Sequence, residues 1–425
     1  MNPTARTLSF RLGWGLRLTL LALLLLWLGA RLWAVRVAWQ GEKLQERLRA
    51  PIAARLVEPP WTGPAENAVP WLAAAALVAE TRTTSTLPFP SLVDFTAPLS
   101  AARESDLRAV LEMNQRALEL YREAAAKPEC VFRPVLPELS NPRMNLIAVL
   151  DLAQLDLWQG RLADPAKEPL ARSDSILRNL AVAGCLGSDL GAITRLTGLA
   201  IERFTYGELA GGLGEGTFDV ALARLRERLS TLGDPGSYES SLRAEALAQD
   251  WSRSGQWVSL PGTGLSSTSL VDPFAVRGFS AAMTNRAILA LIDLVQRPAM
   301  PPEPPSDTEL VFAWNLDDWI VGRLGRGEWM RERWLRALLD ARRLALSALT
   351  LRERALAERR YPAALPADLD FVSPARLTDE PLRYEILADG SARLSLPASA
   401  AQDAVLFPNT TSRRFPRTWT LAPLR

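Results

Sequence analysis

The order of hydrophobic and polar positions divides this chain into one apolar block followed by a long helical body. Leu18–Ala30 (LTLLALLLLWLGA) runs 13 residues without a charge, between Arg17 and Arg31. At 1.5 Å per residue that is about 20 Å of helix, short of a hydrocarbon layer of roughly 30 Å. Counting outward to residues 12–37 gives a sufficient span, with Arg17 and Arg31 near the interfaces where long side chains snorkel. Trp14 on one side, and Trp33 and Trp39 on the other, stand where interfacial aromatics belong. A basic start before a short apolar run also fits a cleaved signal peptide. The candidate cleavage points after Ala30 and Ala34, however, each have Leu at the third position back, so the segment reads as an uncleaved anchor.

Beyond the block, the punctuation is helical. Glu42–Val57 forms a juxtamembrane helix interrupted near Pro51, and Asn67–Thr81 a short Ala-rich helix with Pro70 in its first turn. Residues 82–100 read as loop. Ala102–Ala126 repeats apolar positions close to a 3.6 period. Asn141-Pro142 opens a helix to Gly160, and Asp164-Pro165 one to about Gly184. Ser188 caps a segment through Ala210, Gly211–Gly216 breaks it, and Thr217 caps another that stops at Gly233. A helix over Ser237–Ser252, a Gly/Ser/Thr loop over 254–271 and a helix from Asp272 to Arg297 follow. Residues 298–305 (PAMPPEPP) are a linker, and two helices take up about 306–323 and 327–360. Short extended runs at 382–387, 392–396, 405–407 and 418–421, with a hairpin turn at Asp389-Gly390, end the chain.

The expected fold is therefore mainly α. An N-terminal transmembrane helix precedes an irregular antiparallel helical array, and a small β appendage closes the chain. The domains expected are an anchor (1–40), a helical body (41–297), the linker (298–305), C-terminal helices (306–360) and the β-containing appendage (361–425).

Composition narrows the chemistry. The net charge of +2 gives no basic field for nucleic acid, so no nucleic-acid partner is expected. Arginine dominates over the lysines, which are Lys43, Lys127 and Lys167. With abundant Ala and Leu, this points to a GC-rich bacterial genome. There is no histidine. That removes Ser-His-Asp and Cys-His catalysis and histidine-ligated zinc. No Ser-x-x-Lys pair and no P-loop is present, and Cys130 and Cys185 are too few and too far apart for a zinc site. No metal and no cofactor is expected. For the two cysteines, a disulfide and a buried free thiol both fit.

Several stretches carry a resemblance. Asn67-Ala68-Val69-Pro70-Trp71, the LTGLAIER helix at Leu196–Arg203, and Arg360–Leu365 before Glu380–Tyr384 resemble segments of membrane-anchored, mostly helical bacterial proteins of uncharacterised activity, found in planctomycetes and other groups. The last two segments are also similar to the end of a pseudopilin-type domain. The resemblance implies architecture and location, with no activity to transfer.

The most chemical-looking stretch is Trp314-Asn315-Leu316-Asp317-Asp318-Trp319, followed by Glu328, Trp329 and Trp334. Paired carboxylates beside indole rings are what a glycan-cleaving site uses, and that chemistry needs no histidine. The structural reading places the tryptophans in the core and the aspartates in water or against Arg323 and Arg326. Glu202, inside an apolar helix, is either a general acid with a raised pKa or half of an ion pair with an arginine from a neighbouring helix. Gly211–Gly216 has the glycine density of a phosphate loop but follows a helix, so it reads as a flexible connection.

The expected function is a non-enzymatic binding or scaffolding protein of the bacterial cell envelope, held in the inner membrane by residues 12–37 as a single pass with its body in the periplasm. Its expected partner is another envelope protein or a polymer. The alternatives are a glycan-active hydrolase using Asp317, Asp318 and Glu328, with Trp314, Trp319, Trp329 and Trp334 as a binding platform, and a subunit of a secretion or pilus-type complex.

Overall fold

The structure is a computed structural model. It describes residues 3–57, 63–81, 100–132, 144–232, 239–244, 247, 289, 292, 316–369, 382–396 and 418–424, giving only the backbone path for 3–16, 30, 33–35, 37, 38, 40–42, 192 and 316–336. The chain opens with a single helix, α1 (Pro3–Arg49), extended by a 3-10 turn (Ala50–Ile52) and α2 (Ala53–Leu56). The anchor and the juxtamembrane helix expected from sequence are thus continuous, and the boundary expected at residue 40 falls inside α1. Pro51 acts where expected, tightening the helix into the 3-10 turn. Among the described residues no helix is long and apolar enough to cross a membrane. The uncharged run, bounded by Arg17 and Arg31, is 13 residues, shorter than a bilayer's hydrocarbon thickness.

The body follows as α3 (Ala68–Val78), α4 (Ala101–Met113), α5 (Gln115–Ala125), α6 (Leu146–Leu162), α7 (Ala171–Gly187), α8 (Ala192–Glu215), α9 (Leu222–Thr231) and α10 (Leu316–Glu358). Caps explain several starts: Asn67 accepts from Val69 N–H, Ser100 from Arg103 N–H and Asn145 from Ala148 N–H. The single helix expected over 102–126 is two. Buried Asn114 breaks it, donating to Val110 O and accepting from Glu80 N–H just past α3. The residues expected as loop at 82–99, and the segments at 254–271, 272–288 and 298–305, lie outside the described residues.

α6 is buried nearly all round and serves as the central helix, with α3, α5, α7 and α8 packed on it. The glycines here are contact points. A Cβ at Gly198 would stand 2.8 Å from Ala183 O of α7, and one at Gly160 would stand 2.9 Å from Ala171 O. The expected break at Gly211–Gly216 does not occur. α8 runs through it and ends at Gly216, which takes the left-handed conformation (φ +75°) that favours glycine. Gly212 keeps the helix turning because its missing side chain leaves room for the Phe218 ring. Likewise, the two helices expected over 306–360 are one from Leu316 to Glu358.

At the C-terminus β1 (Arg383–Ile386), β2 (Ala392–Ser395) and β3 (Thr418–Leu421) form an antiparallel sheet in the order β1-β2-β3, with Ile386 opposite Ala392 and Leu394 opposite Trp419. Gly390 (φ +78°) makes the expected hairpin turn. The sheet packs on the helical body, as expected. β3 packs on α8 and α10, and Ala422 N–H donates to Leu213 O. Trp419 is completely buried. The run expected at 405–407 lies outside the described residues.

Candidate functional site

Charges sit deep among the helices, and most are consumed there. Glu202 on α8 and Arg342 on α10 form a bidentate pair: Nε donates to Oε2 at 2.8 Å and a terminal nitrogen to Oε1 at 2.6 Å. Tyr206, one turn along α8, donates to the same carboxylate at 2.9 Å. Burial opposes the charge on Arg342, but the hydrogen bonds and charge of Glu202 outweigh it and raise the pKa of the guanidinium. Burial, with Glu202 nearby, pushes the Tyr206 hydroxyl well above the usual phenol range. Of the two roles open to Glu202, the geometry is that of the interhelical ion pair.

Three further clusters have the same character. Asp156 of α6 takes Arg178 in a bidentate pair (2.9 and 3.0 Å) and Arg122 at 3.2 Å, fixing α5, α6 and α7 together. Glu208 of α8 pairs with Arg172 of α7, which also reaches Glu215. Burial raises the Glu208 carboxyl, and Arg172 draws it back in part. Arg352 of α10 donates to both carboxylate oxygens of Asp219 (2.9 and 2.8 Å) and to the Tyr361 hydroxyl at 2.6 Å. Tyr361 in turn donates to Ala422 O beyond β3 at 2.7 Å.

The residues singled out for glycan chemistry do not assemble into such a centre by themselves. Trp314 lies outside the described residues. Asp317, Asp318, Trp319, Glu328, Trp329 and Trp334 share the single helix α10. Glu328 comes ten and eleven residues after the aspartates, about 15 Å along the helix axis. An acid pair for glycoside cleavage works across about 5–9 Å. A partner acid from another element would be required. Among the described residues no group of His, Cys, Asp and Glu is placed to hold a metal ion.

Among the described residues lies a groove of about 730 Å³. Its walls are the C-terminal turns of α5 and α9 and one side of α7. Its lining includes the small residues Ala124, Ala181 and Gly184 beside Leu177 and Leu232. The Cys130–Cys185 disulfide closes one end, with Cα atoms 5.2 Å apart. Asn67 fixes the Cys130 segment: its side chain accepts from Val131 N–H at 3.1 Å and donates to Val131 O at 3.0 Å. Pro128 stops α5 just before it.

Three cations line the groove, Lys127, Arg178 and Arg228, against one acid, Glu129. Lys127 lies 4.8 Å from the Trp71 ring centroid and 3.5 Å from Glu123. Arg178 is oriented by buried Asp156. Half-buried Arg228 makes no ion pair among the described residues. Sequence reasoning gave these three residues no role. The available signals were Lys127, a rare lysine three residues from a cysteine, and Asn67, noted only as part of a motif. No protein-family model, curated protein or solved structure matches the chain.

Proposed function

We propose that this protein is a membrane-anchored, non-enzymatic binding or scaffolding protein of a bacterial cell envelope. The observation that carries the reading is the exposure of α1. Leu20, Leu21, Leu23, Leu24, Leu25 and Leu26 are each more than half exposed. Positions so close in sequence point in every direction around a helix, 100° apart. A helix that docks one face on a protein needs no apolar residues on the others, so an apolar medium on all sides is what this pattern suits. Because the uncharged run is short, the flanks out to residues 12–37 contribute to the anchor, with Arg17 and Arg31 extended toward the headgroups.

The other end of α1 belongs to the body. Leu48 and Ile52 are buried, and Arg243 donates to Arg47 O at 2.8 Å, so whatever holds the leucines holds the helical array. The disulfide supports placing that array on the oxidising side of an inner membrane. Partner binding, rather than turnover, fits a molecule whose buried Asp156, Glu202 and Glu208 are each held by arginines.

Fractionation tests the reading. The intact chain should stay with membranes through alkaline carbonate washing, and its body should be digested by protease added to spheroplasts. Leu24→Arg with Leu25→Arg places two charges at the middle of the run, at about 2.5–3.5 kcal/mol each. The double variant should move to the soluble fraction. An unsubstituted chain that washes off, or a variant that remains, overturns the anchor.

A further inference from the structure

We infer that the far end of α1, where the helix leaves the anchoring membrane and enters the body, is a docking surface for anionic phospholipid headgroups. The inference rests on the anchor proposed above and names the lipid class that the anchor selects. Charge gives the first reason. Residues 1–57 hold nine arginines and lysines against two glutamates, whereas the remaining 368 residues hold 40 against 45. The positive excess is therefore a property of α1 and its extension, not of the body. Steps of 100° place Arg36, Lys43 and Arg47 within about 40° of one another, one line along the helix. All three are exposed, and none makes an ion pair among the described residues. Exposed Glu46 lies off that line by about 60° or more.

Position gives the second reason. Trp39 is 57% exposed and has the Lys43 ammonium 3.6 Å from its ring centroid. An exposed indole beneath a cation suits the headgroup layer, which is part apolar and part charged. With residues 12–37 across the hydrocarbon, Arg36 stands at its edge. Lys43 then lies about 9 Å beyond residue 37 and Arg47 about 15 Å beyond it. Headgroups take up about 5–7 Å of that distance. Both cations thus fall within about one Debye length, 8–10 Å, of the charged surface. Each cation so placed strengthens attraction to an anionic surface about fivefold. The root of the helix is fixed to the body, since Leu48 is buried and Arg243 donates to Arg47 O at 2.8 Å. Headgroups that draw in Lys43 and Arg47 therefore also set which side of the body faces the membrane.

The test uses the full chain in mixed micelles holding equal amounts of phosphatidylglycerol and phosphatidylcholine, with bound lipids counted by native mass spectrometry. At least a tenfold preference for phosphatidylglycerol is expected, and 0.5 M ammonium acetate should remove most of it. Arg36→Gln, Lys43→Gln and Arg47→Gln combined should reduce the preference at least fivefold. Arg49→Gln, about 120° or more from the line, should leave it within twofold of the unsubstituted chain. Thermal melts show that each variant is folded. Arg36→Gln with Lys43→Gln alone, both before the buried Leu48, should still reduce the preference at least threefold. Equal uptake of the two lipids, a triple variant that keeps the preference, or an equal loss with Arg49→Gln would each overturn the assignment. The alkaline wash keeps the two readings apart. A chain that stays with membranes but takes both lipids alike ends this inference alone, and one that washes off ends the anchor and the docking surface together.

Discussion

The buried ion pairs set the energetics of single residues. Glu202 is 2% exposed and Arg342 8%, so removing one partner leaves a charge in the core with nothing to match it. Arg342→Met is therefore expected to cost about 3–5 kcal/mol of unfolding free energy. Removing both charges, in Glu202→Gln with Arg342→Met, should recover much of that loss. A denaturant series on the single and double variants checks the ordering, and a double variant as unstable as Arg342→Met would contradict it. Asp189 provides a pH signature. Burial raises its carboxyl above the ordinary aspartate value, against the pull of Thr194, the Leu190 and Gly191 N–H groups and Arg55. A raised folded-state pKa means the native chain holds the proton longer than the unfolded chain does. Its contribution to stability is then full below the unfolded-state pKa and falls as pH rises toward the folded-state value. The stability of the unsubstituted chain minus that of Asp189→Asn should decline with rising pH across that window. A flat or rising difference would refute the assignment.

At the scale of elements, glycine was the residue most often misread. Gly211–Gly216 has the composition of a loop, and the glycines at 322, 325 and 327 that of a break, yet helices cross both. In α8, tertiary packing reverses the local preference because Gly212 and Gly214 stand where the Phe218 ring and Thr420 O come close. Two substitutions separate this from simple flexibility. On propensity alone, Gly→Ala inside a helix should add about 1 kcal/mol. Gly212→Ala would push a methyl into the Phe218 ring, and Gly198→Ala would push one against Ala183 O. Both are expected to destabilise, by about 1–3 kcal/mol. The first should be largely relieved by Phe218→Leu, since a side chain can be trimmed. The second meets backbone and has no such rescue. A stabilising Gly198→Ala would mean the helices are not in contact as described. By contrast, the caps and turns whose chemistry is local were legible in the sequence: Asn67 at its helix, Pro51 in its turn, and Asp389-Gly390 in the hairpin with the strands on either side. Asn114 was not, because an asparagine interrupts a helix there only through a bond to Glu80, 34 residues away in sequence. The groove was illegible for the same reason, since its cations come from α7, α9 and the turn after α5, and nothing in the spacing of Lys127, Arg178 and Arg228 brings them together.

Across the whole molecule, the C-terminus closes the structure, and that changes what a truncation means. The extended runs at the end of the chain suggested a small β appendage packed on the helical body. β3 does reach back to α8, Trp419 and Leu421 are fully buried, and Ala422 O accepts from Tyr361 beside the Arg352–Asp219 pair that joins the turn before α9 to α10. Deleting residues 418–425 removes two large buried side chains, each of which costs about 2–5 kcal/mol when lost from a core. It also takes away an acceptor from Tyr361 and Arg352. The sum is comparable to the 5–15 kcal/mol that holds a typical domain together. The shortened chain should lose its cooperative thermal transition or melt far lower, while Trp419→Phe, which keeps most of the buried surface, should shift it only modestly. Unchanged melting on deletion would mean that the sheet is a separable unit after all. If instead the body falls with the strand, a partner lost on C-terminal truncation says nothing about where that partner binds.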